Sequence, residues 1–200
     1  MKRLTLILIM ALAATLVMSC GRGNTEQVTK AEGTAYLLDA DAFDLEAVVS
    51  LIKQGEISSI TDLEAVINSG DNGINNVDAD EDGNLDFVMV SEEMSDGGKL
   101  FVFSAQPSSD PNGEPIVVAE VTLNRNASEV TVSGNYPNYV RGYDEFYYHY
   151  PMSYHSRGFV GWAYGPRSLY IHPGYRSMNY RSRPIMSRSS MQSSRTTYRE

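Results

Sequence analysis

Apolar positions along the chain change their period once. Leu45, Val48, Val49 and Ile52 recur on one face at helical spacing, between Asp44 and Gly55, residue types suited to the start and stop of a helix. The spacing predicts a helix over 45–54. Thr61 and Glu64 stand in capping-box register, and Leu63, Val66 and Ile67 share an apolar face. A second, short helix is predicted there, with the Thr61 hydroxyl and the Glu64 carboxylate satisfying each other's backbone donors and Gly70 closing it. From residue 85 the period becomes 2. β-rich runs at 85–90, 100–103, 116–123 and 130–132 predict four strands. Ser95-Asp96-Gly97-Gly98 and 124–128 form tight connections, while Pro107, Pro111 and Pro115 keep a longer loop out of the ladder. The pattern gives an antiparallel meander with two amphipathic helices over one face, an α+β domain spanning 34–134.

The first residues carry an address. Lys2 and Arg3 precede an apolar run fourteen residues long, 4–17, followed by Met18-Ser19-Cys20. A bilayer core needs about 20 helical residues, so this run is short for a permanent span and reads as a signal peptide over 1–19. The ending Val17-Met18-Ser19-Cys20 resembles the bacterial lipoprotein signal, in which a small residue precedes a cysteine that is lipidated and becomes the new N-terminus. That resemblance implies lipidation of Cys20 and a membrane anchor. It also implies that Gly21, where an aspartate would favour inner-membrane retention, leans the protein toward an outer membrane if the cell has one. Residues 20–33 are polar, with Gly23 and Gly33, and read as a flexible tether. The competing readings are an ordinary secretory signal and a buried first helix, either of which leaves Cys20 as a free thiol.

Composition removes several chemistries. One cysteine excludes an intramolecular disulfide framework and a thiolate zinc cluster, and His149, His155 and His172 are spaced too widely for a tight transition-metal site. No nucleophile elbow, phosphate loop or His-Glu-x-x-His motif occurs. Asp39, Asp41 and Asp44 sit near a helix start, where carboxylates favour the helix dipole, rather than as an acid/base pair. No enzymatic function is expected. The formal charge of -9 conceals two halves: eight arginines against Glu200 give 146–200 a charge of +7, which leaves -16 for residues 1–145.

The strongest chemical signal is Asp78-Ala79-Asp80-Glu81-Asp82-Gly83-Asn84-Leu85-Asp86. Asp78, Asp80 and Asp82 occupy loop positions 1, 3 and 5, the Asn84 carbonyl position 7 and Asp86 position 9, an alternation of hard oxygens that suits calcium. Carboxylates about 4 Å apart repel by roughly 1 to 4 kcal/mol per pair, a cost that a divalent cation removes. The loop resembles those of EF-hands and, more closely, of FG-GAP and related adhesion repeats, where a β-hairpin carries the aspartates. Met89 stands where the EF-hand has its bidentate Glu, which passes that role to Asp86, and a single copy builds no propeller. Without the EF-hand Glu the expected affinity falls in the extracellular-module range, about 10⁻⁴ to 10⁻³ M. Together with Asn75-Asn76-Val77 and the exit segment 87–90, the loop also resembles an arrangement in uncharacterised bacterial envelope lipoproteins. The competing reading is an exposed acidic turn built from Asx turns.

Beyond residue 135 Tyr, Arg, Ser, Gly and Pro dominate, and the sparse aliphatic residues predict a disordered, basic, aromatic tail over 135–200. Arginines interleaved with aromatics can pair with phosphates and stack on rings. The candidate partners are anionic envelope lipids or polymers and the protein's own acidic domain; nucleic acid is disfavoured for an exported chain, and the competing reading is a solvated low-complexity extension with no specific partner. The sequence therefore points to a lipid-anchored envelope protein with a structural calcium loop in a structural or binding role. The alternative is a polyanion-binding module acting through the tail.

Overall fold

A computed structural model describes residues 40–96, 98–127, 129–137, 148–153, 157–173 and 183–196, with backbone alone for 40, 148–153 and 196. The predicted signal peptide 1–19, Cys20 and the tether 20–33 lie outside the described residues. After a 3₁₀ turn at Ala40–Ala42, α1 runs Leu45–Gln54 and α2 runs Ile60–Ile67. The strands follow as β1 Phe87–Ser95, β2 Gly98–Gln106, β3 Ile116–Arg125 and β4 Glu129–Asn135. They pair in sequence order, each antiparallel to the next. The fold is α+β, with two short helices on an antiparallel meander. No helix among the described residues is long and apolar enough to cross a membrane.

Alternation builds the core. Val88 and Val90 of β1, Phe101 and Phe103 of β2, Val121 and Leu123 of β3, and Val130 and Val132 of β4 are all fully buried. Facing them from the helices are Leu45, Val48, Ile52, Leu63 and Ile67. At about 1.5–3 kcal/mol for each large aliphatic or aromatic side chain removed from water, this interface dominates the fold's stability. Asp44 caps α1 as its sequence position predicts: its Oδ1 accepts from the Ala47 N–H at 3.1 Å. Gly55 ends the helix at φ 75°, a left-handed conformation that a side chain would strain.

The second helix begins earlier than predicted, and its capping box does not form. Ser59 is the cap, its hydroxyl accepting from the Asp62 N–H at 3.1 Å, and the helix closes at Asn68 rather than Gly70. Glu64 is drawn inward to the edge of the sheet. Its Oε1 accepts the Val90 N–H at 2.7 Å, while the Asn68 amide both donates to the Val88 carbonyl at 2.8 Å and accepts its N–H at 2.9 Å. Glu64 of α2 and the capping residue Asn68 thus occupy backbone groups along β1, which is an edge strand and would otherwise offer them to another chain.

The larger correction concerns the tail, because parts of the segment expected to be disordered are built into the fold. β5, Tyr148–Ser153, adds a fifth strand against β4. Its Pro151 has no N–H, which an edge strand tolerates. A short helix α3, Gly158–Ala163, buries Phe159, Val160 and Ala163, and the Phe159 ring meets Phe101 edge-on at 4.9 Å. A last helix, α4, spans Arg188–Thr196 and buries Met191 and Arg195. Sparse aliphatic content hid this. The segment is held as much by arginines on buried acids as by apolar side chains, and charge pairing at long sequence separation leaves no periodicity to read.

Glu92 shows how this works. It lies on the core face of β1, opposite Phe101, with its side chain fully buried. Arg167 engages it through both terminal nitrogens at 2.8 and 2.9 Å, and the Tyr170 N–H donates to it at 2.9 Å. Lys99 completes the set from β2. The Arg167 guanidinium also lies 3.4 Å from the centre of the Trp162 ring, so cation, carboxylate and aromatic lock together.

Candidate metal centre

The acidic loop connects the helical half of the domain to β1. Its conformation follows from its own side chains. The Asp78 carboxylate accepts the Asp82 N–H at 3.0 Å and the Gly83 N–H at 2.9 Å, drawing the loop into a tight turn around it. Glu81 and Gly83 both take positive φ, 57° and 84°. Glycine adopts this conformation freely and a glutamate does so at a cost of roughly 1 kcal/mol. Asp86, with no solvent exposure, lies beneath the loop. One of its oxygens accepts the Ala79 N–H at 2.7 Å, and its N–H donates to the Val77 carbonyl at 2.8 Å.

Asp78, Asp80 and Asp86 each place one carboxylate oxygen within 4.8 Å of the others. Calcium holds oxygens at about 2.3–2.6 Å, so two ligands on opposite sides of the ion stand about 5 Å apart. The three oxygens therefore span a volume that suits hard divalent cations as a class. Asp82 stands outside the group. Its Oδ1 accepts the Asn84 N–H at 2.8 Å and its Oδ2 the Ser108 hydroxyl at 2.9 Å. Asn84, expected to contribute its carbonyl, forms an isolated bridge with Pro184. That bridge uses the Gly83 carbonyl and the Leu85 N–H and leaves the Asn84 carbonyl out of the pairing.

Neighbouring groups set the charge of each acid. Burial is the main influence on Asp86 and raises its carboxyl to about 6; the N–H donors of Ala79 and Ser108 pull it back down, and the charges of Asp80 and Asp78 add to the rise. Burial likewise raises Asp78, against the N–H donors of Gly83 and Asp82. Asp80 moves the other way. Burial is again its largest single influence and acts upward, but the Ser109 hydroxyl and N–H, with further hydrogen bonds, outweigh it and hold the carboxyl below its ordinary value.

Several contributors were not legible in the sequence. Ser108 and Ser109, in the loop between β2 and β3, donate backbone N–H groups to Asp86 at 2.8 Å and to Asp80 at 2.9 Å. They are separated from the acids by more than twenty residues, and serines after a strand give no distinctive signal. Asn75 supports the far side, donating from its amide to the Asp86 carbonyl at 2.8 Å. Elsewhere, His172 approaches Glu64 at 2.9 Å, a contact between the tail and α2 and not part of this centre.

Comparisons of this chain with family models, curated proteins and solved structures find no match. The functional reading therefore rests on the chain's own residues.

Proposed function

We propose that this is a lipid-anchored cell-envelope protein whose domain is braced by one structural calcium ion, with a structural or binding role rather than a catalytic one. The observation that carries the reading is the convergence of Asp78, Asp80 and buried Asp86 within 4.8 Å. Three carboxylates in one place are costly without a cation, and the D-x-D-x-D-G-x-x-D order favours calcium among the hard ions. Asp78, Asp80 and Asp86 hold the ion, with Asp82 and the Asn84 carbonyl as further ligands from the sequence pattern. The ion fixes the entry of β1 against α2, since Asp86 immediately precedes β1.

Anchoring through a lipid on Cys20 is supported by the signal pattern ahead of it. An outer membrane is the favoured location where the cell has one. Four of the tail arginines favour partners within the chain itself. Arg167, Arg183, Arg188 and Arg195 all bond to acids or carbonyls of the chain itself.

Thermal unfolding of the full mature chain tests the reading. Calcium should raise the melting temperature relative to chelator, and Asp80→Asn should remove the increase while retaining an acceptor for Ser109. Identical melting temperatures with calcium and with chelator would contradict a structural ion. For the anchor, Cys20→Ser should move the protein from the membrane to the soluble fraction, and an unchanged distribution would count against lipidation.

A further inference from the structure

Residues 183–196 lie in a groove that has the features of a peptide-binding site. Its floor is made of glycines: a Cβ on Gly70 would fall 1.6 Å from an Arg183 guanidinium nitrogen, and one on Gly73 would fall 3.1 Å from the Met191 carbonyl oxygen. One wall is backbone. The Leu85 N–H donates to the Arg183 carbonyl at 2.6 Å and the Ile185 N–H to the Gly83 carbonyl at 3.2 Å, so the arm adds to the loop as a short antiparallel partner. The Asn76 side chain then grips the next residue at both ends, accepting the Met186 N–H at 2.6 Å and donating to its carbonyl at 3.2 Å. This contact reads backbone and is indifferent to side chain.

The far end reads charge. Arg195, 8% exposed, donates to the Gly73 carbonyl at 2.9 Å and to the Asp41 carbonyl at 2.6 Å, and lies 3.3 Å from the Asp44 carboxylate. Between the two ends the arm contributes little of its own. Within 183–195, Met191 and Arg195 are the only buried residues. A nine-residue helix containing four serines is too short and too poor in apolar residues to persist in isolation. The groove therefore makes the helix. Strand addition followed by a helix held through spaced side-chain anchors combines two modes by which domains bind peptides from other chains.

We propose that this groove is a recognition site for the basic arm 183–196, that the arm is a detachable ligand bound here in cis, and that the groove accepts the same segment from a second copy of the chain. Neighbours anchored on one surface would then exchange arms. Cis occupancy must reduce apparent affinity for an added arm by the fraction of grooves left empty.

A fluorescent synthetic peptide of residues 183–196, titrated into the full chain and followed by anisotropy, tests the proposal. Arg195→Ala, which weakens the resident arm, should bind the peptide saturably and at least about tenfold more tightly than the wild-type chain. Adding Asn76→Ala to that variant should remove the binding. Absence of peptide binding by an Arg195→Ala chain that still unfolds cooperatively would overturn the proposal. Hydrogen exchange on the unmodified chain gives a second reading that needs no variant. The arm amides should open well before those of β1–β4, and protection equal to that of the core strands would show the arm to be inseparable from the fold.

Discussion

Asp86 is the residue at which protonation and cation binding compete. Its carboxyl, raised to about 6 chiefly by burial, has to lose its proton before it can serve as a ligand. Calcium affinity should therefore climb between about pH 5 and about pH 7 and then level off, with proton release on binding in the lower range. Isothermal titration in buffers of different ionisation enthalpy measures both, and a pH-independent affinity with no proton release would argue against Asp86 as a ligand. Glu92 has the opposite sign. Burial pushes its carboxyl up most strongly, but the hydrogen bonds from Arg167, Lys99 and the Tyr170 N–H together outweigh burial and hold it below the ordinary value. A depressed folded-state pKa contributes stability above the unfolded-state value, about 4.3, and loses it as the pH falls through the folded one. Glu92→Gln should cost roughly 3 kcal/mol at neutral pH, because it strands Arg167 against a buried partner. The same variant should flatten the acid limb of the stability curve measured by urea unfolding at successive pH values.

At the scale of elements, α1 and the four strands were legible because each is specified by neighbours in sequence. Asp44, the Leu45–Ile52 stripe and Gly55 mark a helix locally, and the alternation in 100–103 and 116–123 marks strands. Glu64 misled for a physical reason. Its register with Thr61 fits a capping box, yet the unpaired N–H of Val90 on an edge strand is a more demanding partner than a solvent-facing helix terminus. The same logic makes α2 the guard of β1. Asn68→Ala would leave the Val88 N–H and carbonyl without their side-chain partners. It should cost about 2 kcal/mol and raise the tendency to self-associate. Urea unfolding and sedimentation at increasing concentration check the two effects separately.

On the scale of the whole molecule, arginines from the described parts of the tail meet buried acids of the domain. The acidic loop was readable because its spacing is local, whereas the docking of 157–173 and 183–196 depends on Arg167 finding Glu92 and Arg195 finding Asp44, pairs separated by 75 and 151 positions in the chain. The clearest apolar clue was Phe159-Val160 followed by Trp162-Ala163, which is too short to declare a core segment. Deleting 146–200 removes β5, uncovers Phe101 and leaves Glu92 without Arg167. The truncated chain should lose cooperative thermal unfolding as seen by circular dichroism, and a melting temperature equal to that of the full chain would show these contacts to be dispensable.

The convergence of Asp78, Asp80 and Asp86 on one cation is tested most directly by calorimetric titration of the full mature chain with calcium at neutral pH. The account predicts a single site with a dissociation constant of about 10⁻⁴ to 10⁻³ M, absent in Asp80→Asn. Heats no greater than dilution across that range, from a chain shown to be folded, would contradict it.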